Sequence, residues 1–363
     1  MNFDIELVRD LAKKYYMSHV QNAFGQSGID VLPELLDFAR IILRECPPER
    51  ITGSITFVRR VTSSGQGVDS WSGAVKILSD QQLQELVLAI ESNCHGFVEK
   101  LGDGQRYFSK LNKDIDLAML AKHSIVLRYH DGKDTIYSGS YSDELSKVSH
   151  LQLSSLATPT YTELEEALRQ YGCIAEHCSC KILERAWGGG ANSLRLVFSP
   201  KPESHMRDSL VGNLSAVLKD ATVTPEHNTD ATKPVDVKVD WFGRRATALI
   251  EIKWLGKALT ATSTADKETY TSYTEVRARD GSTQLADYLE REKQTTSGED
   301  AKGYVVVFDG RRAKVVNSTT AINPSDAMAY ENSEITYESE ILSRNDMAEP
   351  VRFFLKPRLL QAA

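Results

Sequence analysis

Residues 235–254 hold two runs that alternate apolar and polar side chains, VDVKVDWF (235–242) and ATALIEIKW (246–254), separated by Gly243-Arg244. Alternation with a period of two is the signature of a strand, and two such runs around a short glycine-containing link read as an antiparallel hairpin. With Gly243-Arg244 as a two-residue turn, Phe242 faces Arg245, Asp240 faces Thr247 and Asp236 faces Glu251. Residues two apart on a strand share a face. Ile250, Ile252 and Trp254 therefore line one side of the second strand, and Glu251 and Lys253 point to the other.

An apolar face explains itself by burial. The opposite face carries two acids that this register brings to within roughly 5 Å at Cβ. Like charges directly opposed destabilise a sheet unless a cation lies between them. Hard oxygen donors at that separation suit Mg²⁺ or Mn²⁺. A metal so held polarises a phosphoryl oxygen and activates water, and an ammonium such as that of Lys253 offsets charge that develops in the transition state. The bland reading of Asp236, Lys238 and Asp240 is the solvated face of an edge hairpin, with Lys253 paired to Glu251.

Other segments supply side chains of fitting type. The helix expected after position 203 repeats Glu203, Leu210, Leu214 and Leu218 along one stripe. This makes Glu203 a candidate third acid if the helix starts near Pro202, with Arg207 one turn on to hold its carboxylate. In the helix read over 281–293, Gln284 and Tyr288 are four apart and share a face. Arg277 and Arg279 before that helix, and Arg311-Arg312 after the strand read over 303–310, are candidates for backbone phosphates.

An acid-bearing helix, an aspartate on one strand, Glu-x-Lys on the next and a helix with Gln-x-x-x-Tyr together resemble the PD-(D/E)XK, or restriction-endonuclease-like, nuclease superfamily. The last element is similar to its phage-exonuclease and helicase-nuclease branch. The resemblance runs from about Glu203 to Arg312. It implies a mixed sheet flanked by helices, Mg²⁺ (or Mn²⁺) dependence and cleavage of nucleic acid. Position by position, Asp236 or Asp240 and Glu251 match the metal-binding acids, Lys253 the catalytic lysine, and Gln284 and Tyr288 the helix pair. No proline directly precedes either aspartate, although Pro234 stands two residues before Asp236.

The rest of the chain reads as a mixed α+β region. Helices are expected over 3–24 and 33–45, and from a capping box of Ser79 with Gln82 to about residue 101. A helix capped by Thr162 runs to about Tyr171. Strands are expected over 51–61, 124–130, 134–139, 180–187 and 193–199, with Asp131-Gly132 as a hairpin turn. The proline-bearing segment 198–206 reads as a junction, giving an N-terminal α+β regulatory, sensing or assembly region over 1–199 and a nuclease-like domain over 200–363. The Ser/Thr-rich stretch 260–274 reads as a mobile connection.

Of 363 residues, 43 are basic and 50 acidic, for a net charge of −7. Duplex affinity comes largely from neutralised phosphates, so unaided DNA affinity is expected to be modest, and a partner protein or a homo-oligomer is expected. No apolar run reaches the 18 or so residues needed to span a bilayer. The start of the sequence lacks an apolar signal core, so a cytoplasmic protein without membrane contact is expected. Five cysteines in so long a chain read as reduced thiols. Cys173, His177, Cys178 and Cys180 crowd together without the second spaced pair of a structural zinc site. Gly188–Gly190 lacks the Lys-Ser/Thr of a phosphate loop. His95, His123, His130 and His150 show no pairing pattern.

The sequence therefore predicts a metal-dependent deoxyribonuclease. Its chain organisation resembles that of an effector of bacterial antiviral defence or restriction. The rival is a non-cleaving, nuclease-like scaffold or nucleic-acid-binding subunit of a larger complex. RNA is a further candidate substrate, although no RNA-reading signature is present.

Overall fold

Two runs of strands build two separate sheets. The computed structural model describes residues 5–62, 67–145, 147, 153–157, 159–189, 193–228, 234–241, 246–264, 267–295, 300–317 and 322–358, with side chains from Met17 onward except at His227, Asn228, Thr295 and Asp300. The turn Gly243-Arg244 with its flanking Phe242 and Arg245 lies outside these residues, as do His150 and Gly190. Two compact units divide between Thr162 and Glu163.

The first unit opens with a helical stretch α1 (Ile5–Glu45), broken at Gly25, where φ is +63°. Then follow β1 (Ser54–Arg60), β2 (Val75–Ile77), α2 (Asp80–Leu88), β3 (His95–Lys100), β4 (Arg106–Leu111), α3 (Leu117–Ala121), β5 (Ser124–His130), β6 (Lys133–Ser138) and β7 (Tyr141–Glu144). The sheet order is β2-β4-β3-β1-β5-β6-β7. It is mixed: β1 runs parallel to β3 and antiparallel to β5. One cluster packs Leu35, Phe38 and Ile42 of α1 with Leu83 and Val87 of α2. A second joins Val58, Phe97 and Val126 of the sheet to Leu117 and Ala121 of α3. Asp131 and Gly132 both have positive φ, as a two-residue turn of this hand requires, and His130 pairs with Lys133 across it.

The helix expected to reach residue 101 ends at Leu88, and β3 takes up His95–Lys100. Phe97 and Val98 are buried there between β1 and β4. Pairing with two distant strands overrides the local helical pattern.

The second unit contains α4 (Tyr161–His177), α5 (Lys181–Glu184), α6 (Pro202–Val217), β8 (Ala221–Asn228), β9 (Pro234–Trp241), β10 (Ala246–Leu259), β11 (Tyr270–Tyr273), α7 (Glu275–Thr295), β12 (Asp300–Asp309), α8 (Pro324–Ala327), α9 (Ser339–Leu342) and β13 (Val351–Phe354). The sheet order is β13-β12-β10-β9-β8, with β11 added against the end of β10. Strands β10, β12 and β13 run parallel, and β8 and β9 antiparallel to their neighbours. Helix α7 packs closely on β12: a β-carbon at Gly303 would lie 2.8 Å from Leu289. Tyr171 of α4 meets Phe308 and Phe353 edge-on at 6.2 and 5.5 Å, and its hydroxyl bonds Ser209 of α6 at 2.8 Å.

These contacts tie residues 163–199 to the second unit, whereas the sequence reading placed them with the first. In place of the strands expected over 180–187 and 193–199 stand the short α5 and isolated bridges from Phe198 to Trp187 and to Ala258. The stretch 260–274 is ordered in part, through β11. The whole is an α+β fold of two mixed sheets flanked by helices, and no described helix is long and apolar enough to cross a membrane.

Candidate active site

The expected hairpin register is the observed one. Strands β9 and β10 pair from Asp240 opposite Thr247 to Val237 opposite Ile250. The ladder ends there, and the next step brings Asp236 to Glu251. The Ile252 N–H donates to Asp236 Oδ2 at 2.8 Å. A side chain thus takes the place of a main-chain acceptor where the two strands part, and it holds the Asp236 carboxylate at that fork. Glu251 lies on β10, flanked on both sides by β9 and β12, and only 1% of it is exposed, against 6% of Lys253. The pairing of Lys253 with Glu251 is the one the edge-hairpin reading expected, but β9 is not an edge strand, since β8 lies outside it, and Lys238 is buried.

Lys253 Nζ donates to Glu251 Oε1 and, at 3.3 Å, to Gln284 Oε1 on α7. Gln284 Nε2 donates to the Tyr288 hydroxyl, which donates to the Pro234 carbonyl at 3.3 Å. The expected Gln-x-x-x-Tyr pair therefore links the lysine to the start of β9. Gly281, one turn before Gln284, leaves room for the stem of Lys253: a β-carbon there would lie 2.6 Å from its Cγ. Sequence reasoning passed over Gly281. Its signal was a glycine beside a well-formed helical pattern, and the helix in fact starts earlier, at Glu275.

Both acids of the pair hold a proton more tightly than a free carboxyl does. Burial pushes the Glu251 carboxyl well above the usual carboxylate range, and Asp236 beside it adds to the rise against the opposing Lys253. Burial also pushes Asp236 up, with Glu203 adding to it and the Ile252 N–H working against it. Glu251 Oε2 is buried and has no hydrogen-bond partner among the described residues. A buried carboxylate oxygen without a donor is costly, and a hard cation would satisfy it.

Among the described residues no group of three or more His, Cys, Asp or Glu side chains is arranged to hold a metal. Mg²⁺ does not require such a cage, since it is commonly held by one or two carboxylates with water and substrate phosphate completing the shell. Asp236 and the free oxygen of Glu251 fit that donor set.

The remaining expectations fare differently. Helix α6 starts at Pro202 as Glu203 requires, and Met206, Leu210 and Leu214 are buried. Glu203 pairs with Arg277 at 3.0 Å. Arg207, expected to hold Glu203, instead pairs with Glu226 of β8. Asp240 accepts from Thr247 Oγ1 at 2.8 Å and lies 3.5 Å from Lys238, which is paired with Glu292 of α7. Of the two aspartates left open by the sequence, Asp236 is the one placed with Glu251.

Arg311 and Arg312 are not presented to phosphates. Arg311 is buried and forks onto Asp309 at 2.7 and 3.0 Å. Arg312 lies over the ring of Phe354 at 5.0 Å, and burial lowers its pKa to about 10. No disulfide joins any of the five cysteines, and buried Cys178 accepts from the Trp187 indole at 3.2 Å.

No protein-family model, no curated protein and no solved structure matches this chain.

Proposed function

We propose that the second unit is a metal-dependent nuclease that hydrolyses DNA phosphodiester bonds. One observation carries the reading: Glu251, on a central strand, keeps a buried and unpartnered carboxylate oxygen beside Asp236, with Lys253 bonded to its other oxygen. A purely structural salt bridge has no use for the second acid, which raises its neighbour's proton affinity.

Asp236 and Glu251 would hold Mg²⁺ or Mn²⁺. When bound, the cation supplies Lewis acidity toward a phosphoryl oxygen and a water. The protein's own residues do the positioning. The Ile252 N–H orients Asp236, and Gln284 fixes the Lys253 ammonium from the helix side. Lys253 would offset negative charge as the bond to the leaving oxygen breaks. Glu203, held by Arg277, adds negative charge at the rim.

The expected setting is a defence or restriction effector controlled by a partner or by self-association. It is carried by the chain's organisation, a nuclease-like unit preceded by a separate α+β unit. The test is incubation of the purified chain with supercoiled plasmid, linear duplex and single-stranded DNA, with Mg²⁺, with Mn²⁺ and with EDTA. Nicking marks an endonuclease, and loss of the linear substrate alone marks an end-dependent exonuclease. Absence of cleavage under every condition, with candidate partners included, would remove the reading.

A further inference from the structure

A cleft of about 500 Å³ opens between the start of α6, the outer end of β10, β11 and the first turns of α7, with Trp254, the neighbour of Lys253 on β10, in its wall. Glu203 forms part of its wall, and its charge is felt by both Asp236 and Glu251. The volume is that of a small-ligand site. It has room for one or two nucleotides.

The lining combines cations with aromatic faces. Lys201 stands at the rim, exposed and with no ion-pair partner among the described residues. Arg207 is held in place by Glu226. The Arg277 guanidinium lies over the Tyr273 ring at 4.2 Å, and Tyr273 meets Trp254 edge-on at 4.6 Å. Arg277 Nε is buried without a hydrogen-bond partner among the described residues. The guanidinium, held by Glu203 at 3.0 Å, and the tyrosine ring together present a cationic and aromatic surface.

Such a surface matches a base face and its phosphate together. In a duplex both faces of each base are covered by neighbouring bases, so only an unpaired base can enter a pocket and stack. Basic side chains that track the backbone, interleaved with aromatic platforms, are the general means of holding a single strand.

We infer that this cleft receives one or two unpaired nucleotides of the strand being cut. A base stacks on the Arg277–Tyr273 pair, and Lys201 and Arg207 take the phosphates. The substrate is then a single strand or an opened end rather than an intact duplex. Only the link to cutting rests on the nuclease reading.

The test is fluorescence anisotropy in EDTA, which prevents metal-dependent cleavage. It uses an end-labelled single-stranded DNA oligonucleotide and the blunt duplex of the same sequence. The single strand is expected to bind at least about tenfold more tightly, and Tyr273→Ala to weaken it by about tenfold while Tyr273→Phe keeps the affinity. Lys201→Glu, an exposed change that leaves packing alone, is expected to weaken single-strand binding severalfold even if Tyr273→Ala fails to fold. Equal or tighter duplex binding, or wild-type affinity in both Tyr273→Ala and Lys201→Glu, would overturn the inference. Cleavage of plasmid without single-strand preference would sink the inference alone. Single-strand binding without cleavage would sink the nuclease reading alone.

Discussion

Lys253 runs across Gly281 so closely that a β-carbon on Gly281 would lie 2.6 Å from its Cγ and 2.9 Å from its Cε. Glycine inside a helix costs about 1 kcal/mol relative to alanine, and α7 spans Glu275–Thr295 around this position. The helix gives up that stability where the lysine must reach Glu251. Gly281→Ala is therefore expected to displace the ammonium and lower metal-dependent cleavage by about tenfold or more. The melting temperature should stay within a few degrees of wild type, because the helix gain offsets the local clash. Wild-type cleavage rates in Gly281→Ala would show that the lysine's path does not matter.

Asp236 and Asp240 lie four residues apart on β9 but belong to different networks. Asp236 accepts from Ile252 beside Glu251, and Asp240 accepts from Thr247 near Lys238. Asp236→Asn is expected to reduce cleavage by about a hundredfold or more, and Asp240→Asn to leave it within about threefold of wild type. The reverse ranking would move the metal site along the strand.

The raised proton affinity of Glu251 and Asp236 has a consequence for stability in the absence of metal. An acid whose pKa is higher folded than unfolded binds more protons in the folded state between the two values, so stability falls as pH rises through that window. The window opens near the ordinary carboxylate pKa and closes at the raised one, with burial as the first cause for both acids. In EDTA, thermal stability of the wild type should fall from about pH 5 to about pH 8. Glu251→Gln should flatten the decline and melt higher than wild type at the alkaline end. A slope unchanged by Glu251→Gln would place its origin elsewhere.

The register of the site was legible in the sequence because a period of two and a short turn leave a hairpin few alternatives, and a slip of one residue would turn every apolar side chain outward. Val237, Val239, Ile250 and Ile252 are all fully buried as that pattern demands. The start of α6 was legible through Pro202, which suits a first helical position. What could not be read depends on distant contacts. The partner of Glu203 is Arg277, 74 residues on. Strand β8 hides behind Pro225 and polar neighbours, and such a sequence is tolerated at a sheet edge. Strand β10 continues past Trp254 to Leu259 because Gly256, at φ +131°, passes against the backbone of Gly310. Arg311 looked like a free cation because Asp309, two residues before it, gives no sign in the sequence of being wholly buried.

The most direct test of the nuclease reading is cleavage of a labelled DNA substrate by wild type, Glu251→Ala and Lys253→Ala, with substrate binding measured in parallel without metal. The expected result is Mg²⁺- or Mn²⁺-dependent hydrolysis in the wild type, reduced by about a hundredfold or more in both variants, with binding retained. Cleavage that persists in Glu251→Ala, or that needs no divalent cation, would contradict the assignment of the Asp236–Glu251–Lys253 cluster as the catalytic centre.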